Sequence, residues 1–184
     1  MSAGPVRARL FARSDRGSAL VEAAFIIPLF MALLLGSLES FHVFRASQMT
    51  IRAATTSVDL TTRVREIDDA MEESIYKAAV AVTGSYGDAL KDFTVVISSI
   101  SFSEADDEFA LEWSLSNVAG KEMAEEEVED LDLPELDDGQ TVVVVTVSAN
   151  YHSFLVLDLF DGKKLSAQQI RRPRFGVRVA DSTT

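Results

Sequence analysis

The chain has 184 residues, a formal net charge of −12 and no cysteine. That length holds a membrane segment and one modest globular domain. The acidic balance argues against nucleic acid as a partner, which needs phosphate-neutralising Lys and Arg. The lack of cysteine excludes disulfides, thiol catalysis and zinc–thiolate sites.

The charge is unevenly spread. Before Gly17 stand Arg7, Arg9, Arg13 and Arg16 against a single acid, Asp15. From Glu39 onward, 27 acids face 13 bases, the totals of 29 and 17 less Asp15, Glu22 and the four arginines. A short basic leader, residues 1–17, therefore precedes an acidic body.

Residues 18–38 read SALVEAAFIIPLFMALLLGSL, with one charge in 21 residues. As a helix this run is roughly 31 Å long, close to the thickness of a bilayer core. A cleaved secretory signal has a shorter apolar core followed by a small-residue cleavage site. Here Glu39-Ser40-Phe41-His42 follow instead. The run predicts a retained transmembrane helix, against the plainer reading of a buried helix in a soluble protein. The arginines before it predict a cytoplasmic N-terminus, which puts the acidic body outside; for a bacterial chain that means the periplasm. Pro28 lies inside the run and predicts a bend or local loosening, since it removes one backbone hydrogen bond.

Glu22 is the single charge of the span. On the bland reading it sits near the interface with its carboxylate among headgroups. On the functional reading an intramembrane carboxylate has a task and a partner. Glu22 is the fifth residue after Gly17. A cut after Gly17 would give Ser18 a new α-amino group. A charged amine, from the same chain or a neighbour, offsets the desolvation of the carboxylate and sets register between helices.

Four elements in a row, Arg16-Gly17-Ser18, Val21-Glu22, the mid-helix Pro28 and Gly36-Ser37-Leu38-Glu39, closely resemble the start of the TadE-like family of the tight-adherence (Flp) type IV pilus system. The resemblance implies a minor pseudopilin. It would be cut between Gly17 and Ser18 by a prepilin peptidase and held in the inner membrane by one helix. It would act structurally in pilus assembly with other pilin-like or tight-adherence proteins. It also marks Gly36 and Glu39 as motif positions. The alternative is a membrane-tethered periplasmic binding or sensor module, for which Gly17 and Glu22 have no task.

Beyond the span, no Gly or Pro interrupts residues 37–83. A stalk helix is expected to continue over 39–64, with Phe41, Phe44, Ile51 and Ala54 as its packing face. A second helix is expected over about 65–82, striped by Ile67, Met71, Ile75, Ala78, Ala79 and Val82, with Gly84 as its stop. The period then changes to two. Residues 93–102 suit a strand, joined by the turn SEADDE to a second over 109–115. There Phe109, Leu111, Trp113 and Leu115 alternate with Ala110, Glu112 and Ser114. Residues 141–151, TVVVVTVSANY, read as a central strand. Residues 164–172 and 175–179 read as one more, broken at Pro173.

The fold class expected is α+β: a long N-terminal transmembrane and stalk helix, a second helix and a small, mainly antiparallel sheet in a periplasmic domain over 65–184. Residues 121–139, with ten Asp or Glu, read as a solvated, mobile loop without EF-hand spacing. Arg171, Arg172, Arg174 and Arg178 suit either an acidic partner or the protein's own acids. His42 and His152 are isolated, and no phosphate loop, G-x-S-x-G or H-E-x-x-H occurs. No catalytic residue, metal or cofactor is expected. The partners expected are the peptidase, pilin-like assembly proteins and the bilayer.

Overall fold

The structure, a computed structural model, describes residues 15–105, 107–153, 159–174 and 179–182. Most of the leader, together with Arg178 and the rest of 175–178, lies outside the described residues. Helix α1 runs unbroken from Asp15 to Thr61. A two-residue strand β1 (Glu66–Ile67) and helix α2 (Asp69–Thr83) follow. The strands β2 (Leu90–Ser103), β3 (Glu108–Ser116), β4 (Thr141–Tyr151) and β5 (Lys164–Arg171) form an antiparallel sheet in the order β3-β2-β4-β5. A last strand, β6 (Ala180–Asp181), pairs in parallel with β1. The α+β class is as expected.

Helix α1 stops at Thr61 rather than 64, with no Gly or Pro to stop it. The hydroxyls of Thr61 and Thr62 donate to the carbonyls of Ser57 and Val58. Arg174 N–H then takes the Thr62 carbonyl, so a returning strand supplies what a further helical turn would have supplied. The second helix starts at Asp69, not 65. Asp68 is its N-cap, extended at φ −102°, ψ 170°, with its side chain accepting from Met71 N–H at 2.8 Å. Asp69 and Glu72 add favourable charge to the first turn. Gly84, at φ +52°, closes the helix in a conformation that side chains disfavour.

The packing face of α1 is rotated from the one expected. Phe41, Phe44 and Ile51 are exposed, and of the four expected residues only Ala54 is buried. The buried face is Ala46, Thr50, Ala53, Ala54, Ser57, Val58 and Thr61. Small residues let the helix axis lie close to the sheet; the hydroxyls of Thr50 and Thr61 donate within their own helix, while that of Ser57 has no partner among the described residues. The larger apolar residues stay outside. In α2, Ile75, Ala79 and Thr83 are the buried residues, while Met71 packs at the margin of the core.

The alternation predicted for β3 holds only within its halves. A bulge between Ser99 and Ile100 makes Ser99 pair with Trp113 and Ile100 with Leu111, so Glu112 is skipped. The extra residue switches faces. Trp113 and Leu115 pack with the helices, whereas Leu111 packs on the opposite side of the sheet. Phe109 meets Phe102 with ring centroids 5.1 Å apart.

Strand β4 is central and buried on both faces. Val143, Val145 and Val147 meet the helices, while Val142 and Val144 meet Met123, Val128 and Leu136. The acidic segment 121–139 is thus no free loop. Its acids are mostly exposed, but these three apolar residues anchor it over the outer face of the sheet. Covering that face explains the near-continuous valine run, which a one-sided sheet would not need. Strand β5 ends at Arg171. The expected continuation over 175–178 lies outside the described residues, and Ala180–Asp181 joins β1 rather than the main sheet.

Candidate functional site: the N-terminal helix and its junction with the domain

The first half of α1 is built to be surrounded by something apolar. Over its most apolar 18-residue window the mean hydropathy is 2.3, and none of that window is buried inside the protein. Phe25, Ile26, Ile27, Leu29, Phe30 and Leu33 are all exposed. A buried soluble helix would have these residues against its own core, so that reading is set aside. Among the described residues this is one helix long and apolar enough to cross a membrane, over Ser18–Thr61.

The residues singled out in the sequence fall into two groups on this helix. Gly17, Ser18, Glu22 and Pro28 lie on its free portion. Gly17 and Ser18 are already helical, and Glu22 is exposed on the helix surface. The helix continues through Pro28; the carbonyl of Ala24 there lacks its usual donor. Over 18–34 its side chains are exposed except for Ala23.

Gly36 and Glu39 lie where the helix meets the domain. A Cβ on Gly36 would meet Leu159 Cδ1 at 3.9 Å, an ordinary contact, so the glycine is not required by space. Glu39 is fully buried. Ser153 Oγ donates to its Oε1 at 2.5 Å, and among the described residues Oε2 has no partner. The Tyr151 hydroxyl, also buried, has none either. Burial raises the Tyr151 pKa, and the nearby acidic groups of Glu39, Tyr86 and Asp161 add to the shift.

Ser153 stands in its place because Asp161 holds the segment after β4. Asp161 Oδ1 accepts from the Ser153 N–H at 2.9 Å and pairs with His152 Nδ1 at 2.8 Å. These contacts, the backbone bond first, hold the Asp161 carboxyl below its ordinary range. On the neighbouring turn of α1, His42 Nδ1 lies 3.3 Å from the Tyr86 hydroxyl, and the Arg45 guanidinium stands 5.5 Å from the centre of the Tyr86 ring. The two histidines that look isolated in the sequence are therefore each engaged with the junction. Such an arrangement can fix the angle between helix and domain. Sequence reasoning marked Glu39 as a motif position but missed Ser153, Tyr151 and Asp161. The one signal for them was the polar run at 150–153 breaking off the valine strand.

At the far end of the domain Arg171 Nη1 pairs with Asp59 at 2.7 Å, and Arg174 Nη2 approaches the same oxygen at 3.5 Å. Arg172 donates to the Glu135 carbonyl at 2.6 Å. Arg171 and Arg174 thus pair with one of the protein's own acids, whereas Arg172 meets a backbone carbonyl.

No curated protein and no solved structure matches the chain. A family model does: that of TadE-like proteins, over residues 17–59. The matched segment lies almost wholly on α1, from Gly17 through the packing face at Ala46–Val58. The similarity is to this helix, and the matched stretch includes Gly36 and the buried Glu39.

Proposed function

We propose that the protein is a minor pseudopilin-like subunit for assembly of a tight-adherence (Flp) type IV pilus, structural rather than catalytic. It acts through helix–helix packing in the membrane. The observation that carries this is the combination on one helix: the TadE-like match over 17–59, and an apolar half whose side chains over 18–34, Glu22 included, are exposed except for Ala23. A tether needs only apolarity. A subunit needs a glycine at which to be cut, a carboxylate to pair with a neighbour and a stalk fixed rigidly to its domain. In this reading a prepilin peptidase on the cytoplasmic side removes residues 1–17. Ser18 becomes the N-terminus, the helix stays in the bacterial inner membrane, and the domain stands in the periplasm. The partners are the peptidase, other pilin-like or tight-adherence assembly proteins and the surrounding lipid.

Mass spectrometry of the membrane-extracted protein tests the processing step. The expected mature chain starts at Ser18 in cells with active peptidase and at Met1 in cells without it. Gly17→Ala should give the uncut form, because a methyl group crowds the backbone that the protease must grip. A chain that keeps residues 1–17 in the presence of the peptidase leaves the tethered binding or sensor module as the better reading. A reporter fused after Thr184 tests orientation, since one that works only after export should be active there.

A further inference from the structure

The turn at residues 159–162 touches α1 beside Gly36, inside the apolar run, through Leu159, which is 57% exposed. Phe160 follows, and Lys163 Nζ stands 5.7 Å from the centre of its ring. Between this turn and α1 opens a groove of about 450 Å³. Ser40, Phe44, Ser47, Phe160, Lys163 and Lys164 contribute to its walls.

Three observations say what fills it. The first is depth. Ser40 and Ser47 lie about 3 Å and 14 Å of helical rise beyond Leu38, and the polar layer of a bilayer begins where the hydrocarbon span ends and is roughly 5–8 Å thick on each side. When residues 18–38 span the core, the groove therefore has its near end, at Ser40, inside the headgroup layer and its far end, at Ser47, beyond it. The second is charge. From Glu39 onward acids outnumber bases by 27 to 13, yet among the described residues the groove's lining holds no acid and has Lys163 at its rim; Lys164 contributes too, although it also lines the recess on the other face of the sheet with Asp92 and Glu127. The one acid of the turn, Asp161, is occupied by His152 and the Ser153 N–H. The third is the mixture of surfaces. Phe44 is 61% exposed and, with Phe160, gives an apolar wall beside the ammonium groups. An amphipathic ligand matches such a wall, and a free anion does not.

We propose that this groove seats the headgroup of an anionic phospholipid, with the phosphate near Lys163, the apolar part of the headgroup region against Phe44 and Phe160, and the chains leading away past Leu159. Leu159 enters the leaflet beside Gly36. The bound lipid fixes how deep the acidic domain sits and offsets its repulsion from an anionic surface. The proposal rests on the reading that residues 18–38 span a membrane, but not on cleavage after Gly17 or on pilus assembly.

The test uses the full chain in an uncharged detergent, mixed with equal amounts of phosphatidylglycerol and phosphatidylcholine, with retained lipid counted by native mass spectrometry. Wild type should keep phosphatidylglycerol with about a tenfold preference. Lys163→Gln with Lys164→Gln should abolish the preference. Lys77→Gln with Arg65→Gln, which removes two charges from exposed positions elsewhere, should keep it. Equal retention of both lipids by wild type overturns the proposal. So does a preference that survives in the Lys163/Lys164 variant. A photoreactive side chain at position 44, used in intact membranes, should label lipid; labelling of a protein neighbour alone would make the groove a subunit contact and overturn it as well. Failure here with a Ser18 N-terminus still found refutes the lipid site alone. Lipid preference with an uncut leader refutes the pseudopilin reading alone.

Discussion

Ser153 Oγ donates a 2.5 Å hydrogen bond to Glu39 Oε1, joining two residues 114 positions apart in the chain. One belongs to the helix as it leaves its apolar run, the other to the end of the central strand. This bond and the small-residue face above it hold α1 at a set angle to the sheet.

Ser153→Ala should destabilise the full chain in detergent by about 1–3 kcal/mol, because it leaves a buried carboxylate with no donor. Glu39→Leu combined with Ser153→Ala should recover part of that loss, since an apolar pair of similar size removes the unsatisfied group altogether. Chemical denaturation followed by tryptophan fluorescence reads both. Equal stability of wild type and Ser153→Ala would mean that the bond does not hold the junction.

Ala54→Leu should cost about 1–3 kcal/mol by forcing the helix off the sheet. Phe44→Leu, at an exposed position of the same helix, should change folding stability by no more than about 0.5 kcal/mol. The contrast tests the rotated packing face. If the larger effect came from Phe44, the face expected from the apolar pattern would be the true one.

Asp161 carries a pH signature. Its carboxyl is held below the ordinary value of 3.8 in the folded protein, so its stabilising contribution is complete above that value and is lost as pH falls through the lower folded value. The Ser153 amide resonance should report this as a shift and faster hydrogen exchange only at the acid end. Asp161→Asn should flatten the titration. A Ser153 amide that titrates unchanged in the variant would assign the effect to another group.

Glu22→Gln keeps the side chain's shape and removes its charge. A lone carboxylate costs about 2.5–3.5 kcal/mol at mid-helix on insertion scales and less near the interface. Membrane insertion should therefore be unchanged or better, while cross-linking to pilin-like neighbours and surface pilus counts fall. Wild-type levels of both at equal expression would reduce Glu22 to an interfacial carboxylate.

The apolar helix, the order of helices and strands and the central place of 141–151 were legible in the sequence. Each depends on local pattern: a long uncharged run, a period of two, a density of β-branched residues. The motif from Arg16 to Glu39 was legible too, and the match over 17–59 coincides with it. What local pattern leaves open is which partner each face meets. Small residues score weakly as a core, so the Ala46–Thr61 face of α1 lost to the aromatics in the pattern and won in the fold, where close approach of helix to sheet matters more than side-chain size. The bulge opposite Glu112 is invisible in β3 alone because it exists only in pairing with β2. Met123, Val128 and Leu136 are too sparse among ten acids to announce a covering segment. Glu39 is the sharpest case. A carboxylate at the end of a membrane span reads as exposed, and only the return of the chain at Ser153, more than a hundred residues later, supplies the donor that lets it be buried.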